Sequence, residues 1–170
     1  MFHQFSPAAG GSPIRVLKWI HHNRVALSPS GSIQYPNMQP TIHSTGLPYR
    51  VLVTDDDDKV RELERLILER HGGLKVVDTG DSEEAIRICF TQPISLVISD
   101  ILKPYLSGLT VLEALRSNPT TRHLPFMFVT ASGLDRHTSA FELGANDYLT
   151  KPFMPQEFLS RVWRLLAWRN

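Results

Sequence analysis

Residues 95–104 read Ser-Leu-Val-Ile-Ser-Asp-Ile-Leu-Lys-Pro, an apolar run that ends in a carboxylate. A short apolar run without alternation predicts a strand that is buried on both faces, as in the middle of a parallel sheet. We therefore assign residues 95–99 to a central strand, with Asp100 directly after its carboxyl end. Ligands of such sheets bind beyond the carboxyl ends of the strands, so Asp100 is the first candidate site residue.

The segments around this strand alternate between short β-branched runs and stretches with apolar residues at helical spacing. This alternation predicts βαβ units and a parallel sheet. The predicted strands are 50–54, 74–78, 95–99, 126–130 and 147–149, and the predicted helices are 58–71, 82–90, 107–117, 134–143 and 155–168. The pattern fits an α/β fold: a flavodoxin-like, doubly wound, five-stranded parallel sheet of order 2-1-3-4-5 with five helices.

Single residues within the helices lead to three further expectations. Val60, Leu63 and Ile67 recur every three to four residues, which predicts that they form the buried face of the first helix. Ser82 is the predicted N-cap of the second helix. Cys89, the single cysteine, lies in an apolar helical pattern and is expected in the core. One cysteine excludes an internal disulfide framework and a cysteine-based zinc site.

Residues 1–46 differ in composition from the rest of the chain. They contain five prolines and no Asp or Glu. Such a segment buries too little apolar surface to offset the entropy of ordering, so we predict a disordered tail followed by a folded domain at 47–170. Two alternatives stay open for the tail: a targeting peptide, or translation that starts at Met38.

The charge and hydropathy of the folded part exclude two classes of protein. Residues 51–170 carry 14 Lys and Arg against 17 Asp and Glu, a net charge of 14 − 17 = −3. Nucleic-acid-binding domains are usually clearly basic, so no direct contact with nucleic acid is expected. No apolar run approaches the roughly 20 residues that a membrane helix needs. We therefore expect no membrane span and a cytoplasmic protein.

Charged and hydroxyl side chains also follow the other predicted strands. Asp55 and Asp56 come after the first strand, Thr130 ends the fourth, and Lys151 follows the fifth. Together with Asp100 they should converge at one sheet edge. Three close carboxylates need a cation to stay ionised, and oxygen ligands favour Mg²⁺, with Mn²⁺ as the alternative. A carboxylate can also be a nucleophile, so the residues predict metal-assisted phosphoryl transfer to a carboxylate.

Four segments strongly resemble the receiver domains of two-component response regulators, and the chain resembles the chemotaxis-regulator-like, single-domain receivers in particular. The segments are Val-Leu-Val-Thr-Asp-Asp at 51–56, Leu-Val-Ile-Ser-Asp-Ile-Leu-Lys-Pro at 96–104, Val-Thr-Ala at 129–131 and Asp-Tyr-Leu-Thr-Lys-Pro-Phe at 147–153. Each motif is weak by itself, but all four in order and at family-like spacing are highly specific.

The resemblance implies the residues of the acceptor and of the metal site. Asp100 would accept the phosphoryl group from a phosphohistidine and would also ligate Mg²⁺. Asp56 would ligate the ion directly and Asp55 mainly through water. The backbone carbonyl of Leu102 would complete the protein ligands.

The resemblance also implies the residues that bind the phosphoryl group and transmit the signal. Lys151 and Thr130 would contact the phosphoryl group. Tyr148 would change rotamer together with Thr130 and remodel the face formed by the fourth helix, fifth strand and fifth helix (α4-β5-α5). Pro152 matches the cis-proline of the family, and Gly108 matches its glycine in the loop after the phosphorylation site.

Four positions depart from the family pattern or tune its chemistry. Lys103 stands where an apolar residue is common, and Ser107 stands where an acid or amide is common. Leu102 and Ser132 occupy the two positions that tune the lifetime of the phosphorylated state. Neither side chain can readily act as a base for an attacking water, so we expect slow self-dephosphorylation.

The function implied by the resemblance is that of a stand-alone response regulator. It would receive its phosphoryl group from a sensor histidine kinase or a histidine phosphotransfer protein. Because the chain ends soon after the last predicted helix, its output would go to a downstream protein target. It would catalyse only its own phosphorylation and dephosphorylation, and so would not be an enzyme in the usual sense.

Dimerisation through the α4-β5-α5 face is a further expectation. Arg161, Arg164 and Arg169 on the last helix would pair with acids of a partner or face solvent. Two other functions stay open. One is a phosphorylation-independent interaction module with the same fold. The other is a metal-dependent phosphohydrolase, which Leu102 disfavours because that class typically has a carboxylate two residues after its nucleophile.

Overall fold

The structure is a computed structural model that describes residues 26–27, 33–34, 49–131 and 135–167. The chain divides into two units, residues 1–39 and 40–170. In the first unit, Ala26–Leu27 pairs antiparallel with Ile33–Gln34. Met38 lies outside the described residues. The disorder of residues 1–46 and its two alternatives therefore stay predictions.

The second unit alternates strands and helices along the chain. Its strands are β1 (Arg50–Thr54), β2 (Lys75–Thr79), β3 (Leu96–Ser99), β4 (Phe126–Thr130) and β5 (Asp147–Thr150). Its helices are α1 (Asp58–Arg70), α2 (Ser82–Thr91), α3 (Gly108–Ser117), α4 (Asp135–Glu142) and α5 (Pro155–Ala167). None of these described helices combines the length and the apolarity that a bilayer span requires.

All five strands are parallel and lie in the order β2-β1-β3-β4-β5. The central strand β3 is buried along its whole length, as its unbroken apolar run predicts. The sheet therefore confirms the flavodoxin-like, doubly wound order that was predicted. The ends of the predicted fourth and fifth helices, Leu134 and Trp168, lie outside the described residues.

The sheet separates two apolar cores. Val51 and Val53 of β1 pack into one core, together with side chains of α1 and α5. Leu52, between them, points to the opposite core, which α2, α3 and α4 cover. This alternation is the two-residue period of a strand, and it places helices on both faces of the sheet.

The buried face of α1 differs from the prediction. Leu63, assigned to that face, is 51% exposed, whereas Glu64, Ile67 and Leu68 are buried. Val60, Glu64, Ile67 and Leu68 follow the i, i+4, i+7, i+8 spacing of a core-facing helix. The prediction for Leu63 was wrong because a charged residue occupies one position of the true apolar stripe.

The cap of α2 also differs from the prediction. Asp81, and not Ser82, is the N-cap, and its carboxylate accepts the N–H groups of Glu83 and Glu84 at 2.7 and 3.0 Å. A carboxylate also suits the positive end of the helix dipole. Ser82 is the first helical residue, and its hydroxyl donates to the carbonyl of Leu106 at 2.7 Å.

Cys89 is buried on α2, as expected. Burial raises the pKa of its thiol to about 12. A thiol that holds its proton so firmly is a poor nucleophile at neutral pH. The side chain therefore packs as a small apolar group.

Candidate functional site

The carboxyl ends of β1, β3, β4 and β5 meet at one edge of the sheet. Thr54 lies opposite Ser99, and Thr130 lies opposite Thr150, so the residues that follow these strands are brought together. The structure thereby places Asp55, Asp100 and Lys151 in one site, as the sequence predicts.

Three carboxylates form the centre of this site. Asp55, Asp56 and Asp100 each offer one oxygen, and these oxygens all lie within 4.8 Å of one another. Asp55 is 1% exposed and Asp100 is 9% exposed, while Asp56 faces solvent. An all-oxygen set that is open on one side fits Mg²⁺, which prefers carboxylate ligands and retains several waters.

Lys151 bridges two of the three carboxylates. Its Nζ donates to Asp55 Oδ2 and, at 3.0 Å, to Asp100 Oδ2. Burial by itself would lower the pKa of Lys151, but the hydrogen bonds and the charges of Asp55 and Asp100 outweigh it and raise that pKa. The ammonium is therefore fixed in its charged form. The peptide bond from Lys151 to Pro152 is cis, as the resemblance implies.

The backbone around Asp100 is tightly held. The N–H of Leu102 donates to Asp100 Oδ1 at 3.0 Å, and the hydroxyl of Ser99 donates to the carbonyl of Asp100 at 2.7 Å. Gly108, at the start of α3, lies against the same carbonyl, since a Cβ on this glycine would come within 2.1 Å of it. Only glycine fits there, so α3 begins in direct contact with the backbone of Asp100.

The backbone of Asp55 is held from α1. Arg61 Nη1 donates to the Asp55 carbonyl at 2.7 Å, and Arg61 Nε donates to Asp78 Oδ2 on β2 at 3.1 Å. The N–H of Asp57 donates to Asp55 Oδ1 at 2.9 Å. Sequence reasoning missed Arg61. Its position in α1 gave no sign that its side chain reaches back to the end of β1.

Thr130 and Tyr148 lie on the neighbouring strands β4 and β5. Thr130 is fully buried at the end of β4, and its carbonyl accepts the N–H of Lys151 at 2.9 Å. Tyr148 is buried on β5, with its ring centroid 6.5 Å from that of Phe128. The contact of Thr130 with a phosphoryl group and the rotamer change of Tyr148 stay predictions. Ser132 lies outside the described residues.

Lys103 brings a second ammonium to the site. Its Nζ donates to the hydroxyl of Thr54 at 2.7 Å, next to Asp55. Burial lowers the pKa of Lys103 to about 8, against the attraction of Asp100, Asp55 and Asp56, which raises it. The group is therefore mainly charged at pH 7. The sequence shows Lys103 as a departure from the family, but the direction of its long side chain could not be read from spacing.

Glu64 is a second group that sequence reasoning missed. It is buried on α1, and its Oε1 is the one buried side-chain polar atom without a hydrogen-bond partner among the described residues. Burial raises the pKa of Glu64 to about 8, with Lys151 acting in the opposite direction and Asp55 and Asp100 reinforcing the rise. The carboxyl group therefore keeps its proton at neutral pH. The helical spacing of α1 contained the signal that this residue faces inward.

The two arginines of α5 pair within the chain. Arg161 Nη1 lies 2.8 Å from Asp147 Oδ1, and Arg164 Nη2 lies 2.7 Å from Asp147 Oδ2. Arg161 also pairs with Glu157 on the same helix. Arg161 and Arg164 therefore have acidic partners without a second subunit, and Arg169 lies outside the described residues.

Comparison with known proteins agrees with the fold. Residues 51–163 match the family described as Response regulator receiver domain. This match covers well over half of the chain, and it includes every element from β1 to most of α5. The chain therefore belongs to the response regulator receiver domain family, whose members are signalling domains of two-component systems.

Individual relatives support the same assignment. Transcriptional regulatory protein SrrA of Staphylococcus aureus is 32% identical over 117 residues, which cover 68% of this chain and 47% of SrrA. A crystal structure of a putative response regulator from Chloroflexus aurantiacus is 40% identical, with a TM-score of 0.67 over 71% of this chain and 98% of that chain. The receiver domain of the Francisella response regulator 1452 is 28% identical, with a TM-score of 0.66 over 72% and 99%.

The coverage differs between these two kinds of relative. The chain spans nearly the whole of the two solved structures but only about half the length of SrrA. The shared region is thus the receiver domain.

Proposed function

We propose that Asp100 accepts a phosphoryl group from a phosphohistidine in a reaction that depends on Mg²⁺. The observation that carries the proposal is the convergence of Asp55, Asp56 and Asp100 within 4.8 Å, with Lys151 bound to Asp55 and Asp100. A structural role alone does not need three carboxylates at one sheet edge, because their mutual repulsion costs stability.

The transfer is an exchange of one bond to phosphorus for another. An oxygen of Asp100 attacks the phosphorus, and the bond between phosphorus and the histidine nitrogen of the donor breaks. The electron pair of that bond stays on the imidazole, which takes up a proton from solvent. Asp100 leaves the reaction as an acyl phosphate.

The residues around Asp100 prepare it for this step. Asp55, Asp56 and Asp100, with the Leu102 carbonyl as the further expected ligand, would hold a divalent cation. When bound, this cation neutralises charge on the carboxylates and on the phosphoryl oxygens. Lys151 is already placed at Asp100 Oδ2 and would move its hydrogen bond to a phosphoryl oxygen.

The proposal includes a protein donor and a protein target. Leu102 and Tyr105, in the loop after β3, and Met154, in the loop after β5, are exposed apolar side chains on loops that leave the same sheet edge as the site. Exposed apolar groups beside a reactive residue suit docking of a histidine kinase or histidine phosphotransfer protein. A cytoplasmic place of action and output to a downstream protein belong to the same proposal.

The name of SrrA concerns transcription. Because the match covers 47% of SrrA, we carry over the receiver function and not the regulation of transcription. Two expectations stay predictions: that the protein functions as a stand-alone receiver, and that it dimerises through the α4-β5-α5 face.

Intact-mass measurement tests the proposal. The protein is incubated with acetyl phosphate and MgCl₂, and we expect the mass of one added phosphoryl group. Asp100→Asn should gain none, because an amide is not a nucleophile of this kind. A sample with EDTA in place of MgCl₂ should gain little.

The outcomes of this experiment distinguish a phosphoacceptor protein from a phosphorylation-independent interaction module. Persistence of the added group in Asp100→Asn would mean that another residue is the acceptor. Its absence from the native protein would favour the phosphorylation-independent module. The decay rate of the product tests the expected slow self-dephosphorylation, and loss within seconds would contradict it.

A further inference from the structure

Lys103 points into the acidic pocket rather than into solvent. Its Nζ is held at 2.7 Å by the hydroxyl of Thr54, a fully buried residue that directly precedes Asp55. The ammonium is attracted by the negative charges of Asp100, Asp55 and Asp56, and less strongly by that of Asp81, the N-cap of α2. Its place is therefore fixed by a neutral hydroxyl, while its charge acts on the three carboxylates.

Among the described residues, no salt bridge neutralises the charge of Lys103. In the described part of the chain it forms no ion pair, whereas Lys151 pairs with both Asp55 and Asp100. In formal charges the three carboxylates count −3 and the two ammonium groups +2, which gives the pocket a formal net charge of −1. Without Lys103 the net charge would be −2, which is the exact opposite of the charge on a divalent cation.

We propose that Lys103 sets the divalent-cation affinity of this pocket, by acting as a resident positive charge that opposes binding of the metal ion. The inference rests on the proposed function, in which the three carboxylates hold Mg²⁺. A fixed positive charge beside a cation site repels a divalent cation, and in a partly buried site this repulsion is weakly screened. The ion-free pocket is correspondingly better neutralised with Lys103 present.

Direct titration of Mg²⁺ by calorimetry, at pH 7 and without any phosphodonor, tests this role. Lys103→Met and Lys103→Gln remove the charge and should bind Mg²⁺ about tenfold more tightly than the native protein. Lys103→Arg keeps the charge and should stay within about threefold of it. The gain in Lys103→Met should shrink as NaCl is raised, because salt screens the repulsion.

Lys75→Met is the matched control. Lys75 is an exposed lysine at the opposite end of the sheet, where it begins β2 opposite Arg50. Its removal changes the net charge of the protein by the same amount and should leave the Mg²⁺ affinity unchanged. An equal gain in Lys75→Met would mean that net charge, and not the position of Lys103, determines the affinity.

Unchanged or weaker Mg²⁺ binding in both Lys103→Met and Lys103→Gln would overturn the inference, as would the absence of saturable binding in all variants. Thermal melting followed by circular dichroism shows whether each variant is folded. If Lys103→Met is not folded, the Mg²⁺ affinity of Lys103→Gln decides the test. Phosphorylation of the native protein at Asp100 is measured separately. Unchanged affinity with intact phosphorylation defeats only the role of Lys103, and altered affinity without phosphorylation defeats only the proposed function.

Discussion

The two ends of the sheet neutralise buried carboxylates in different ways. At the amino end, Asp147 begins β5 and is paired by Arg161 and Arg164, so one acid faces two arginines. At the carboxyl end, three acids face Lys151 and Lys103, and negative charge is left over. The excess negative charge at the carboxyl end suits the cation of the proposed function, whereas the paired charges at the amino end contribute to stability.

Glu64 is a third kind of buried acid, because its carboxyl group stays protonated and therefore neutral. It lies within the electrostatic reach of Asp55, Asp100 and Lys151, yet burial keeps it protonated. An ionised Glu64 would add a fourth negative charge beside the site. The proton on Glu64 therefore keeps the excess charge of the carboxyl end confined to the three aspartates.

Replacement of Glu64 should have the largest effect on stability. Because the pKa of Glu64 is raised from 4.5 to about 8 in the folded protein, the folded state holds a proton that the unfolded state loses between these values. The free energy of unfolding therefore falls as pH rises through this range. We expect Glu64→Leu to raise the free energy of unfolding by on the order of 3 kcal/mol at pH 8, and by much less near pH 5.

Urea unfolding at pH 5 and pH 8 measures this effect. Glu64→Gln should remove the same pH dependence without the gain from apolar packing. Glu62→Leu, at an exposed position of the same helix, should change little. Equal gains from Glu64→Leu at both pH values would contradict the role of the proton.

Gly108→Ala should have an effect of similar size but opposite sign, and it disturbs only the carboxyl end. The new Cβ would meet the Asp100 carbonyl, so the start of α3 must move away. We expect a loss of about 3 kcal/mol in the free energy of unfolding and a lower yield of phosphorylated protein. Glu113→Ala, at an exposed position of the same helix, is the control and should change neither quantity. Normal stability of Gly108→Ala would show that the close contact is not required.

Asp147→Asn should have the smallest effect of the three, and it tests the amino end. It leaves Arg161 and Arg164 without their buried partner. We expect a loss of about 2 kcal/mol in the free energy of unfolding, since both arginines are partly exposed and can be hydrated. Glu157→Gln removes an exposed partner of Arg161 and should cost less. Phosphorylation of Asp100 should be unchanged in folded Asp147→Asn. A clear fall would mean that the two ends are coupled.

The strands and their order could be predicted because they depend on short apolar runs and on a regular βαβ alternation. The convergence of Asp55, Asp100 and Lys151 followed from the same pattern, since parallel strands end at one edge. Glu64 could not be placed as readily, because a charged residue is normally assigned to the solvent face. Leu63 was assigned to the buried face in place of Glu64, although the side chain of Leu63 is half exposed.

The contacts of Lys103 and Arg61 were beyond sequence reasoning for a different reason. Both side chains are long and flexible, and each ends on a group at the carboxyl end of β1. Lys103 reaches Thr54, 49 residues earlier in the chain, and Arg61 reaches the carbonyl of Asp55, six residues earlier. Residue spacing fixes the face on which a side chain starts but not the atom that its end will meet. The error at Ser82 was smaller, since the true cap is the neighbouring Asp81.

The buried thiol of Cys89 makes the domain convenient for spectroscopy. The chain has one cysteine, and burial with a pKa raised to about 12 keeps it from thiol-reactive labels in the native state. A cysteine introduced at an exposed position, such as Glu142→Cys at the end of α4, would then take up a fluorophore or spin label alone. A label there would test whether α4 moves on the proposed phosphorylation, without first replacing a native residue.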